Sequence, residues 1–434
     1  VYIIISKIEK EGKDPFMEHI EYPAEGYSKK RSASQQEKKH RKPAAVLSIS
    51  TVPLIMTLGN SMLIPVLPVI EKQLGISNLQ SSLIITVYSV VPILLIPIAG
   101  YLSDRLGRKM VMIPSLIISG IGGLLAGWAS WKMSNPYYMI LIGRMLQGVG
   151  ASGAFPIVLP LVGDLFRQEE EVSATLGVIE TSNTLGKVLS PILGALLAGW
   201  IWFMPFFSFP LFCLVSIFLL LFFVKSPKRE EENKESIREF IQKVKEIFQR
   251  EGRWLYAVFA IGTILMFVLF GFQFYLSSIL EDQFHTVGIM KGFLLAIPLA
   301  ALCFASFLTG KYIKGNKKTM KWITTIGLVV TAISLCMILF SDRLWYILAI
   351  FVICGIGIGA GLPCMDAMIT SSIEKEERGT ITSIYSAMRF AGVAAGPPVS
   401  SILMKNSEFV MFFILAYLCL VSAFFSMKAI KPNS

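Results

Sequence analysis

The sequence predicts an all-α membrane protein of twelve spanning helices in two related six-helix halves, and three observations carry that prediction. Only 16% of the 434 residues are charged and 54% are hydrophobic, against roughly 25% charged in an ordinary soluble domain. The apolar residues gather into about twelve runs, each near the ~20 residues that a helix needs to cross a hydrocarbon core. Two stretches also recur: GVGASGAFP at 148–156 matches GIGIGAGLP at 355–363, and LGKVLSP at 185–191 matches AGVAAGP at 391–397, offset by about 207 and 206 residues, the mark of parallel repeats.

Taken in order, residues 1–44 are polar apart from the YIII at 2–5 and lack the charged start, apolar run and cleavage site of a signal peptide. The chain is therefore expected to be held by its own spans, with Met17 as an alternative start. Residues 28–42 are basic and expected to be disordered. The runs of the first half are 45–70, 81–102, 110–130, 137–162, 172–200 and 203–224; those of the second are 254–280, 289–313, 322–340, 345–370, 380–404 and 409–427. This gives a tail (1–44), a first bundle (45–224), a linker (225–253), a second bundle (254–428) and a short tail (429–434).

In the linker, Ile237, Phe240, Ile241, Val244, Ile247 and Phe248 recur at helical spacing between Lys and Glu. That pattern suits an amphipathic helix on the inner membrane surface or against the span ends; a charged linker is the plainer reading. With the N-terminus in the cytoplasm, about 32 of the 40 Lys and Arg fall inside, about five outside and three within spans, as the positive-inside rule requires. Both termini are thus expected in the cytoplasm, in the cell membrane.

Several function classes lose ground. The net charge of +11 is accounted for by juxtamembrane basic residues, so no nucleic-acid partner is expected. Cys213, Cys303, Cys336, Cys354, Cys364 and Cys419 all lie in apolar runs without CxxC spacing, against a disulfide framework or zinc site. His19, His40 and His285 lie in the tail or a loop. No catalytic constellation, metal site or P-loop is visible, so neither an enzyme nor an ATP-driven pump is expected, and no cofactor. Gly355, Gly357, Gly359 and Gly361 sit in an apolar helix, where small residues allow close helix approach rather than dinucleotide binding. The duplication favours a transporter with its site between the halves near the midplane.

Between runs two and three lies GYLSDRLGRK, with glycines for a tight reversal and Asp104 able to cap a helix or pair with a cation. Here the chain resembles the major facilitator superfamily, whose signature loop G-x3-D-R-x-G-R-K is filled by Gly100, Asp104, Arg105, Gly107, Arg108 and Lys109. The corresponding loop from Gly310 keeps glycines and positive charge but lacks the Asp. In span 4, Arg144, Gln147 and Gly148 match a second motif. A buried Arg faces a cavity or a partner, unless it snorkels to the near end of its span.

The stretch GVIETSNTLGKVLSP at 177–191 resembles the family's antiporter signature, with Gly177, Gly186, Ser190, Pro191, Gly194 and Ala195 at its positions. Two of these replace Gly by another small residue. At 100° per residue Gly186, Ser190 and Gly194 form a packing stripe, and Glu180, Thr184 and Lys187 a polar one. Glu180 and Lys187 stand about 10 Å apart along the axis, close enough to bias each other's charge in a low-dielectric cavity. Glu180 is the first proton-carrier candidate, with Lys187 and Arg389 tuning it; an interfacial position or a structural polar network is the other reading.

Arg389, opposite Asn183 in the repeat, is a candidate for the cavity wall with Thr382, Tyr385 and Ser386 on its face. Asp366 is a further proton candidate, although a helix-end role suits its position. Asn60, Gln273 and Tyr275 complete the cavity candidates, with Met and aromatic residues suited to a greasy, adaptable site. Many drug exporters of the superfamily carry an acid in span 1; this chain has none there. The resemblance implies a proton-driven antiporter of the multidrug-efflux type, a monomer exporting hydrophobic or amphipathic drugs. A specific metabolite, sugar or lipid-linked cargo, or a signalling or scaffold protein on the same fold, are the alternatives.

Overall fold

The computed structural model describes residues 24–166, 169–224, 237–313, 316–373 and 375–430, and every regular element among them is helical. The chain divides into two compact units, Val1–Ala45 and Val46–Ser434. Helix begins at Ala24, so residues 28–42, expected to be disordered, are helical instead. Their Ala, Gln, Glu, Lys and Arg are strong helix formers, which the reading from charge alone passed over. Residues 1–23, with His19 and Met17, lie outside the described residues, as do 225–236 and 431–434.

Span 1 comprises Ala24–Ser61, a 3-10 turn at Ile64–Val66 and Leu67–Leu74; spans 2 and 3 are Asn78–Leu106 and Arg108–Lys132. Span 4 comprises Tyr137–Ala154 and Val158–Leu165, followed by span 5, Glu169–Trp200, and span 6, Met204–Phe223. The second half supplies span 7 (Ile237–Asp282), span 8 (Gly288–Tyr312), span 9 (Lys317–Met337), span 10 (Leu344–Ser372), span 11 (Lys375–Asn406) and span 12 (Glu408–Ala429). The interruptions in spans 1 and 4 fall at Pro65 and Pro156, where a ring without an N–H disfavours continuous helix. Span 2 starts from a capping box in which Ser77 and Gln80 satisfy each other's backbone N–H groups.

Ten of the described helices are long and apolar enough to cross a membrane. Spans 5 and 11 fall short of that apolarity although both take their place among the twelve helices. Each is 32 residues long but carries polar residues along the seam between the halves: Glu180, Asn183 and Lys187 on one, Tyr385, Ser386 and Arg389 on the other. The repeat equivalence found in the sequence pairs these same two helices.

Span 2 packs along span 11 and span 5 along span 8, joining the halves. Across the first seam Thr86 Oγ1 donates to the carbonyl of Ala394 at 2.8 Å. Across the second, a Cβ on Gly292 would lie 2.5 Å from the carbonyl oxygen of Pro191. Glycines also bring helices together within each half: Gly355 and Gly359 abut the backbone of Pro298 and Leu302 on span 8, and Gly357 abuts Gly327 on span 9. This is the packing role expected of that glycine run.

The amphipathic segment, expected on the inner membrane surface or against the span ends, is the first part of span 7. It turns into the span at Gly252, whose φ of 45° and ψ of −115° interrupt helical geometry. Ile247 is buried, Phe248 lies 5.7 Å from Phe259 between ring centroids, and Arg250 pairs with Glu377 at the start of span 11. The segment therefore docks on its own half; the side chains of Ile237, Phe240 and Ile241 lie outside the described residues.

Candidate functional site

Arg144 shows how the first half builds one wall of the central cavity. Its side chain has no exposure. Nε donates to the Ile84 carbonyl at 2.9 Å, Nη1 to Gln147 Oε1 at 2.6 Å and to the Gly59 carbonyl at 3.2 Å, and Nη2 to Asn60 Oδ1 at 2.7 Å. The guanidinium also lies 4.4 Å from the ring centroid of Tyr88. One residue thus ties spans 1, 2 and 4, using four of its five donors and fixing Asn60 and Tyr88 toward the cavity. Of the alternatives expected for it, Arg144 takes the partner: it stands behind the wall, held by these acceptors, and does not snorkel.

Asn60 and Tyr88 face a cavity of about 590 Å³ between the halves, with Asn183, Lys187 and Arg389. Met56, Phe155, Met266, Phe270 and Phe390 make the rest of its wall apolar and aromatic. Asn183 accepts from Thr57 Oγ1 at 2.6 Å and donates to the Glu180 carboxylate at 3.3 Å. Glu180 accordingly belongs to a polar network linking spans 1 and 5, the alternative reading of its position. From the second half, Arg389 Nη1 pairs with Asp366 Oδ1 at 3.2 Å. That contact corrects the helix-end role suggested for Asp366, whose carboxylate serves the cavity's guanidinium instead.

Lys187 is buried, with 6% of its surface exposed, and lines a second cavity as well, of about 320 Å³, with Ser61, Ser190 and Gln273. Gln273 therefore belongs to the site, and its amide nitrogen is buried without a hydrogen-bond partner. Tyr275 does not join it. Its hydroxyl donates to Glu408 at 2.9 Å and its ring packs edge-on against Phe412 at 4.8 Å, which makes it a contact between spans 7 and 12. Two residues along a helix turn the side chain about 200°, so Gln273 and Tyr275 cannot share a face.

At one end of the bundle the signature loop is held by charge. Arg108 pairs with Asp104 at 2.5 Å and with Asp164 of span 4 at 3.1 Å, while Lys109 Nζ donates to the Val224 carbonyl at 2.8 Å after span 6. Arg105 lies over the Tyr101 ring. Gly107 has a φ of 98°, which the reversal needs and other residues rarely adopt. Gly100 faces Ser383 of span 11.

On span 5 the packing stripe meets span 1: a Cβ on Gly194 would lie 2.0 Å from the Met62 carbonyl oxygen, and one on Gly186 3.0 Å from that of Leu54. Ser190 is wholly buried and donates to the Lys187 carbonyl. Gly177 differs, with open space around it among the described residues.

Sequence reasoning missed the closure at the opposite end. Ser277 Oγ donates to the Ile64 carbonyl at 2.8 Å, and Glu281 of span 7 pairs with Lys72 of span 1 at 2.7 Å and Lys291 of span 8 at 2.8 Å. The side chains of Glu281 and Lys291 are 3% and 2% exposed. The available signal was Lys291, a cation just inside an apolar run. Together the two cavities gather two cationic groups, amide and hydroxyl groups and aromatic walls.

Comparison with known proteins agrees with this architecture. The sequence profile of the Major Facilitator Superfamily matches residues 49–325 and 319–434. The bacillibactin exporter of Bacillus subtilis (strain 168) is 53% identical over 380 residues, 87% of this chain and 94% of that one. The class B tetracycline resistance protein of Escherichia coli is 22% identical over 82% of this chain and 87% of its own. The crystal structure of the human organic anion transporter MFSD10 (TETRAN) superposes with a TM-score of 0.70 at 17% identity, covering 89% of this chain and 99% of that one. The paired six-helix halves, the filled signature loop and the full-length relatives agree: this chain belongs to the major facilitator superfamily.

Proposed function

We propose that this multi-pass membrane transporter exports bacillibactin, a siderophore, or a molecule of the same kind, in exchange for protons. The 53% identity across 94% of the bacillibactin exporter carries the choice of cargo. The cavity suits it: aromatic walls hold an amphipathic body, while Asn60, Asn183, Lys187 and Arg389 meet polar groups. Export of lipophilic drugs is the second reading, favoured by Met56, Met266 and Phe270 and by relatives named for tetracycline and multidrug resistance at 22% and 24% identity.

On the positive-inside rule the Gly100–Lys109 end and both termini would lie in the cytoplasm, and the protein would work in the cell membrane as a monomer. Contacts between spans 1 and 7 then close the outer end, and rocking of the halves about the cavity would open it. Asp366 is the stronger proton candidate because it touches Arg389 directly; protonation would dissolve that pairing and alter the charge that cargo meets. Proton and cargo affinities would be coupled through this pair. Glu180, bonded to Asn183, is the second candidate.

The test is accumulation in everted vesicles from cells that make the chain. Bacillibactin is expected to accumulate above vesicles lacking the protein, with ethidium a poor competitor. Accumulation of ethidium or tetracycline without bacillibactin would overturn the siderophore reading in favour of drugs.

A further inference from the structure

The buried cations of the spans differ in what neutralises them. Arg144 spends its donors on four protein acceptors, Arg389 has Asp366, and Lys291 has Glu281. The ammonium of Lys187, nine-tenths buried, makes neither a hydrogen bond nor an ion pair among the described residues, although its position on span 5 opens onto both cavities. Glu180 is two turns away on the same helix and is engaged by Asn183. Gln273, across the smaller cavity on span 7, presents a second buried donor without a partner. A buried ammonium that the protein leaves unpaired is costly unless something else supplies the counter-charge.

We propose that Lys187, assisted by Gln273, is the anion-recognition point of the cavity, and that the cargo is an amphipathic aromatic molecule carrying an oxyanion. The oxyanion, a carboxylate or a phenolate, would sit between Lys187 on one half and Gln273 on the other. The aromatic body would lie in the larger cavity among Tyr88, Phe155, Phe270 and Phe390. This deepens the export reading by assigning cargo charge to a residue, and it rests on that reading for the choice of bacillibactin as probe. It also sets Lys187 apart from the tuning of a proton carrier.

The experiment compares the full chain with K187M and K187R. In detergent without ligand, K187M is expected to unfold at the same temperature as the native chain or higher, since no protein contact is lost; a lower Tm would reveal a structural partner and overturn the proposal. In proteoliposomes, bacillibactin transport by K187M is expected to show a KM raised about tenfold or more, with K187R recovering most of the loss. An unchanged KM in K187M would also overturn it. Absence of bacillibactin transport by the native chain would defeat the siderophore reading alone. The anion assignment is then decided by thermal stabilisation with salicylate against its neutral analogue 2-hydroxybenzyl alcohol. Preferential stabilisation by salicylate, lost in K187M, sustains it; equal or absent shifts contradict it.

Discussion

Arg144 and Lys187 are both cations deep within the first half, yet the side chain of one is bonded to four acceptors and that of the other to none. The planar fork of Arg144 reaches two backbone carbonyls and two side-chain oxygens, a geometry that a point-like ammonium cannot reproduce. R144A is therefore expected to strand four buried acceptors and cost ~3–5 kcal/mol. R144K should recover only a minor part of the loss despite keeping the charge. Thermal unfolding of purified variants checks both; full recovery in R144K would show that charge alone matters at this site. The presence of an important arginine was legible in the span 4 motif, but its partners were not. Gly59, Asn60 and Ile84 come from other helices, and only the packing of three spans brings them to one guanidinium.

Within span 5, the motif glycines divide by what a methyl group would meet. Gly194 faces the Met62 carbonyl at a distance no Cβ tolerates, whereas Gly177 faces open space. G194A is expected to lower stability by ~1–3 kcal/mol through forced backbone displacement, and G177A to leave it equal or raise it by ~0.5–1 kcal/mol through helix propensity. Equal effects in denaturation of the two variants would refute this division. The stripe of Gly186, Ser190 and Gly194 could be read from helical periodicity, since the spacing decides which residues share a face. The difference between Gly177 and Gly194 could not, because it depends on where span 1 ends its contact with span 5. At the closed end, E281Q removes the charge between Lys72 and Lys291, and the link between spans 1 and 7 should loosen. Hydrogen exchange in peptides covering residues 62–74 and 277–291 is expected to rise in that variant while the signature loop stays unchanged. Unaltered exchange would mean that apolar packing and the Ser277 bond hold the closure without the ion triad.

Across the whole molecule, duplication made the architecture legible: the repeated glycine and proline stretches relate spans 4 to 10 and 5 to 11 in the sequence itself. The same equivalence set Asn183 opposite Arg389, and both line the central cavity. What the sequence concealed was tertiary pairing. Asp366 meets Arg389 rather than capping a helix, Tyr275 turns to Glu408, and the linker helix bends at Gly252 onto its own half. Each outcome depends on a neighbour far away in the chain, which hydrophobic periodicity does not encode. The proposed function joins these parts: two halves closed at one end, a cavity between them, and a carboxylate–guanidinium pair through which a proton would alter cargo binding. The most direct test records bacillibactin and lumenal pH together in proteoliposomes whose proteins have the signature-loop end outward and whose lumen is acid. Native protein is predicted to accumulate bacillibactin in the lumen as the lumenal pH rises, and D366N to lose this coupling. Bacillibactin movement by the native chain that ignores the pH gradient would contradict the account.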